Sequence, residues 1–193
     1  VGPKSLRKFQ RRAALLLAPE SGPYLARAVQ WPQVAVELFF DIETDPMRDL
    51  CYLHGFVIRE RDGAGGSREW FEGIFATDLS TRAERDAFAT AIALFRKHGN
   101  ALVVHYSKHE RTIYRKLAAR YPDVASGSEI ELLFEQPRAL DLLYDVVKSG
   151  SEWPTHDFSI KSIAKHCGFA WRDTDPSGAS SIEWFDQWAK SAD

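Results

Sequence analysis

The sequence predicts an α/β domain with a mixed five-stranded sheet flanked by helices. Three strand-like runs come first, at 34–42, 51–59 and 69–75. A helical period follows, then a continuous apolar run at 101–105 of the kind found in buried parallel strands. A second helical period leads to a short apolar run at 139–143. The chain has 193 residues, 45% of them hydrophobic and 12% aromatic, enough to bury one such core.

The elements can be justified in order. Residues 1–35 stand apart: Lys4, Arg7, Lys8, Arg11 and Arg12 alternate with Leu6, Phe9, Ala13 and Leu16 at helical spacing. That is a short basic amphipathic helix, either packed on a domain or free to touch nucleic-acid phosphates. Residues 36–193 form the main domain. A glycine-rich stretch, Arg61-Asp62-Gly63-Ala64-Gly65-Gly66-Ser67, joins the second and third strands, so the first three strands read as an antiparallel meander.

Thr81-Arg82-Ala83-Glu84 has the spacing of a capping box, and the helix it opens aligns Phe88, Ile92 and Phe95 and stops at Gly99. A second helix over 108–120 lines up Ile113, Leu117 and Tyr121 and ends at Pro122. Residues 123–138 carry no clear period. Helices are expected at 145–148, 159–167 and 180–190, the second closed by Gly168.

Several function classes are excluded or disfavoured. There is no Gly-x-x-x-x-Gly-Lys-Ser/Thr loop and no Gly-x-Ser-x-Gly elbow, and Gly63 to Gly66 lie in a hairpin rather than before a helix. Cys51 and Cys167 have no metal-ligand spacing and read as reduced thiols of a cytoplasmic protein. No apolar run reaches the length of a membrane span. The net charge of −2 provides no global basic field, so contact with DNA or RNA would need a local patch. A start at Val1 predicts a piece of a longer product.

The chemistry concentrates in Glu37-Leu38-Phe39-Phe40-Asp41-Ile42-Glu43-Thr44-Asp45. On a strand, Asp41 and Glu43 share a face with Cβ atoms roughly 6–7 Å apart. Such a pair can hold divalent ions; the alternative is a strand end with two solvated acids. Glu110 follows the strand at 101–105 and would open on the same crevice. Ser107-Lys108-His109-Glu110 also fits a capping box, in which Glu110 would only bond a backbone amide. Asp141, inside an apolar run, needs a partner: a metal, an arginine or the start of the next helix. Lys161, at a helix N-terminus, faces the unfavourable end of the dipole and would gain from a nearby anion, or else is solvated. The candidate substrate contacts are Lys161, His105 and Tyr106.

These residues resemble a known family. Leu38-Phe39-Phe40-Asp41-Ile42-Glu43-Thr44-Asp45-Pro46 is similar to the first exonuclease motif of the DEDD superfamily. It is followed by Tyr52-Leu53-His54-Gly55, Val104-His105-Tyr106-Ser107-Lys108-His109-Glu110, Leu140-Asp141-Leu142-Leu143 and Phe158-Ser159-Ile160-Lys161-Ser162-Ile163-Ala164. With the closing stretch 177–185, the ordered set resembles the ribonuclease H-like domain of RecB-like predicted nucleases. The resemblance implies a ribonuclease H-like fold and a 3′–5′ exonuclease-type site with Mg²⁺ or Mn²⁺. Its metal ligands would be Asp41, Glu43 and Glu110, with Asp141 as a further catalytic acid. It also implies fusion to, or association with, another nuclease or helicase module.

The third exonuclease motif, a Tyr or His followed four residues later by Asp, has no copy before Asp193. That leaves Asp173 and Asp175 as substitutes. The expectation is a metal-dependent nuclease acting on DNA or RNA by a two-metal mechanism. Its competitor is a non-catalytic nucleic-acid-binding or scaffold module with an incomplete site.

Overall fold

The structure, a computed structural model, describes residues 2–18, 20, 22–63, 65–172 and 177–191. By contacts the chain forms two compact units, Val1–Trp31 with Asp141–Arg172, and Pro32–Leu140 with Asp173–Asp193. The smaller unit contains α1 (Pro3–Leu17), β1 (Tyr24–Leu25), a π-helical turn (Leu142–Val147), α5 (Lys148–Gly150), β7 (Ser151–Glu152) and α6 (Ile160–His166). The larger contains β2 (Val36–Asp45), β3 (Leu50–Arg61), β4 (Ser67–Phe75), α2 (Thr81–Lys97), β5 (Leu102–His105), α3 (His109–Arg120), α4 (Gly127–Leu133) and α7 (Gly178–Ser191). β6 (Ala139–Asp141) ends at the boundary.

The strands make a five-stranded sheet in the order β4-β3-β2-β5-β6. β2, β3 and β4 pair antiparallel, and β5 runs parallel to β2. This is the mixed sheet that the meander and the following helix–strand step predict.

Alternation along β2 sends Leu38, Phe40 and Ile42 into the core and Phe39, Asp41 and Glu43 to the other face. The core face packs on Phe88, Ile92 and Phe95 of α2 and on Tyr114 and Leu117 of α3. Rings dominate it. Tyr114 lies 5.1 Å from Phe40, 5.3 Å from Phe88 and 5.9 Å from Phe134.

Glu84 does not complete the capping box. Ser80 is the N-cap of α2 and accepts from the Ala83 amide. Glu84 is buried and accepts from the Cys51 amide, Arg120 and the Tyr121 hydroxyl. Burial against β3 therefore overrode the local cap. α4 arose in the stretch that showed no period; Ser126 caps it by accepting from the Glu129 amide.

α7 is fastened at the β2–β3 turn. Asp45 accepts from the Met47 and Arg48 amides and pairs with Arg48, whose guanidinium also bonds Asp186 at 2.9–3.0 Å. Burial alone would raise the Asp45 carboxyl; the Arg48 side chain and the two amides outweigh it and hold it below the usual range. Phe185 stacks on Tyr52 at 4.5 Å, and the Tyr52 hydroxyl meets Ser181 Oγ at 2.7 Å.

Two cations of α1 are engaged within their own unit. Lys8 pairs with Glu152, and Arg12 donates to the Thr155 and His156 carbonyls while lying over the Phe158 ring. β1 pairs antiparallel with β7, a two-stranded sheet that the sequence did not announce.

His54 is fully buried, with Nδ1 2.9 Å from the Tyr114 hydroxyl. Burial lowers its pKa to about 3, so it is neutral in the native state. An unfolded chain binds that proton below the ordinary histidine value near 6.5. Stability linked to His54 is therefore complete above about pH 6.5 and falls by about 1.4 kcal/mol per pH unit below it, down toward pH 3. Urea unfolding between pH 7 and 4 should show at least this slope. A flat profile would mean that His54 is protonated in the folded protein.

Candidate active site

Asp41 and Glu43 project from β2 on the face opposite the aromatic core. The strand does not end at them but continues to Asp45, with a bulge between Glu43 and Thr44 that breaks the alternation just past the pair. Asp41 stands opposite Gly55 of β3, which stands opposite Gly73 of β4. Gly55 and Gly73 leave this row of the sheet without side chains of its own, and the Phe71 ring of β4 lies over it.

Glu110 comes from the first turn of α3. The helix begins one residue later than a Ser-x-x-Glu box requires. Lys108 is the N-cap and makes no side-chain cap bond, and Ser107 has φ 80°, in the left-handed region. That turn swings the chain from β5 into α3 and frees Glu110 from capping. Its carboxylate is 2% exposed, and Oε2 has no hydrogen-bond partner. His105 Nδ1 donates to the Ser107 carbonyl at 2.8 Å and lies 3.8 Å from Glu110 Oε2.

Glu110 is also close enough to act on Asp41. Burial raises the Asp41 carboxyl above its usual value; a bond from the Ile42 amide lowers it, the Glu110 charge raises it again, and His109 opposes. Asp41 is nonetheless exposed. The Asp41 carboxyl, raised in part by the Glu110 charge, and the buried Glu110 Oε2, without a hydrogen bond among the described residues, are donors suited to a cation.

Among the described residues no group of three His, Cys, Asp or Glu side chains is gathered closely enough to hold an ion. Mg²⁺, however, keeps several waters and is commonly bound by one or two carboxylates together with substrate phosphates. Asp41 and Glu110 suit that mode, with half-buried Glu43 on the same strand face.

The other predicted residues are distributed as follows. His105 is buried beside Glu110 and edge-on to Phe134 at 5.2 Å, and Tyr106 is half-buried. Asp141 Oδ1 accepts from the Leu143 and Tyr144 amides, which makes it the N-cap of the π-helical turn. Lys161 is exposed in the first turn of α6, behind Ser159, which caps that helix. Asp173 and Asp175 lie outside the described residues. Sequence reasoning missed the Gly55–Gly73 row and the aromatic side chains around it. The alternation of Phe71, Gly73 and Phe75 in β4 was the available signal.

The sequence pattern of one family, RNase_H_2 of the RNase H superfamily, matches residues 38–193. The chain belongs to the RNase H superfamily. Searches of curated proteins and of solved structures each return no match. The superfamily match begins at β2 and runs through α7, so it spans the sheet and every candidate acid. It points to nuclease-type phosphodiester chemistry on a nucleic acid. No helix among the described residues is long and apolar enough to cross a membrane.

An orphaned buried carboxylate costs stability, about 1–3 kcal/mol for an unsatisfied polar group and more when charged. Glu110→Met should therefore raise stability by about 1 kcal/mol or more, read as a higher urea midpoint at unchanged slope. A lower midpoint would show that the Glu110 carboxylate holds the fold together.

Proposed function

We propose that this RNase H superfamily protein is a divalent-metal-dependent nuclease that hydrolyses DNA or RNA in the manner of a 3′–5′ exonuclease. The observation that carries the proposal is the Asp41–Glu110 pair: an exposed carboxylate raised by burial and by its neighbour's charge, beside a buried carboxylate oxygen without a hydrogen bond. Asp41, Glu43 and Glu110 would hold Mg²⁺ or Mn²⁺. The bound metal supplies an activated water and stabilisation of the leaving oxygen, two ions sharing these tasks in a two-metal site.

The chain's own residues supply the rest. The row from Asp41 through Gly55 to Gly73 has no side chains of its own, and the exposed Phe71 ring over it gives a substrate a flat surface beside Asp41. His105 steadies the turn that aims Glu110. Tyr106 and Lys161 are proposed as substrate contacts and Asp141 as an accessory acid, all three on the strength of the resemblance to the RecB-like DEDD branch. The same resemblance supports a working context beside another nuclease or helicase module.

A non-catalytic nucleic-acid-binding module is the second reading. It is favoured by the absence, among the described residues, of a third ligand gathered with the pair. End-labelled single- and double-stranded oligonucleotides with Mn²⁺ or Mg²⁺ separate the two. The nuclease reading expects stepwise shortening from the 3′ end. It expects Asp41→Asn to remove that activity while keeping the parental unfolding curve. Binding without cleavage in either metal would overturn it, as would an Asp41→Asn protein that cuts at the parental rate.

Asp141→Ala is a separate check on the accessory acid. Loss of the cap should cost about 1 kcal/mol of stability. If Asp141 also serves the reaction, kcat falls by more than the folded fraction does. If it falls only in step with the folded fraction, Asp141 is a cap and nothing more.

A further inference from the structure

Beside Asp41 the sheet carries large rings on the surface. Phe71 is 64% exposed, Phe75 47% and Trp188 46%. Phe71, Gly73 and Phe75 share one face of β4, the face continuous through Gly55 with Asp41. Both rings lean over Gly73: a methyl group at that glycine would stand 2.8 Å from Phe71 Cε1 and 3.1 Å from Phe75 Cε2. Phe71 reaches further, to within 3.6 Å of a methyl group at Gly55, the residue directly opposite Asp41. The Phe71 ring thus rests on the glycine strip with its outer side open. Trp188 of α7 extends the surface, 6.1 Å from the Phe75 ring.

We propose that Phe71, Phe75 and Trp188 form a stacking platform that selects single-stranded nucleic acid and delivers its backbone to Asp41. The proposal rests on the nuclease reading and names the form of its substrate. Unpaired bases offer π faces to such rings, whereas a duplex hides its own. The Phe71 and Phe75 rings both close over Gly73 and so offer one continuous exposed surface on which bases can stack. The ring nearest the acids lies over the strand adjacent to Asp41, roughly one strand spacing of 4.8 Å away.

Arg59, on this face of β3, is already paired with Glu37 and Glu69. Affinity here would come from stacking, with little release of counterions.

Binding is measured in EDTA, which stops metal-dependent cleavage, by the anisotropy of a fluorescent twelve-nucleotide single strand and of its duplex. The expected result is tighter binding of the single strand with a shallow salt dependence. Phe71→Ala and Phe75→Ala should each weaken it roughly tenfold, and Phe71→Trp should retain it. Both positions are exposed, so the variants should fold, and their unfolding curves check this.

The proposal is overturned by three results. The first is no binding by the parent protein. The second is alanine variants that bind like the parent, or a duplex bound as tightly as the single strand. The third is a parent protein whose sedimentation shows a dimer that Phe71→Ala dissolves, which would make the surface an interface between copies. Cleavage in Mn²⁺ is scored separately. A protein that binds as described but never cuts keeps the platform and loses the nuclease reading; one that cuts with no dependence on Phe71 does the reverse.

Discussion

Tyr114 is the residue through which the fold places its acids. It sits one helical turn after Glu110 on α3, and its ring packs edge-on against Phe40, the residue before Asp41 on β2. The contact between Phe40 and Tyr114 therefore fixes the approach of Asp41 and Glu110, although neither acid takes part in it. Phe88, Phe95 and Phe134 close around the same ring, and its hydroxyl meets buried His54. Edge-to-face pairs of this kind are directional as well as apolar. They hold strand and helix at one spacing and one rotation, which a core of aliphatic side chains would define less sharply. The site is thus specified from beneath, by packing on the opposite face of the strand.

That packing also forces a conflict. The turn at Ser107 brings Glu110 into the protein without the backbone bond that a capping box would have given it. The carboxylate is left with an orphan oxygen and a like-charged neighbour. Two other buried acids are well supplied. Glu84 has an amide, an arginine and a tyrosine hydroxyl, and Glu37 has Arg59 and Arg61. Glu152 Oε2 is also buried without a hydrogen bond, so what distinguishes Glu110 is its place beside Asp41.

The sheet order and the parallel step to β5 were legible because each strand is a clean apolar run and each long helix has a regular period. Asp41 and Glu43 were legible for the same reason, since strand alternation puts them on one face whatever the partner strand. The capping box at Thr81 was misread, and the one at Ser107, left open beside the crevice reading, does not form. Ser-x-x-Glu and Thr-x-x-Glu spacings are local signals, and both glutamates were claimed by tertiary structure, Glu84 by β3 and Glu110 by the acidic pair. α4 and the β1–β7 ladder escaped notice because a seven-residue helix and two-residue strands carry too little pattern. The glycine row at Asp41 depends on register between three strands, which only the folded sheet reveals.

The arginine clamp at the β2–β3 turn joins residues 138 positions apart. On a ribosome, the meander and its two helices are complete long before α7 emerges, and domains tend to fold from the N-terminus as they are made. Contacts of such long sequence separation form late. The acids of β2 are thus arranged before the helix carrying Trp188 joins them, so a partly made product holds the acids without that ring of their surface.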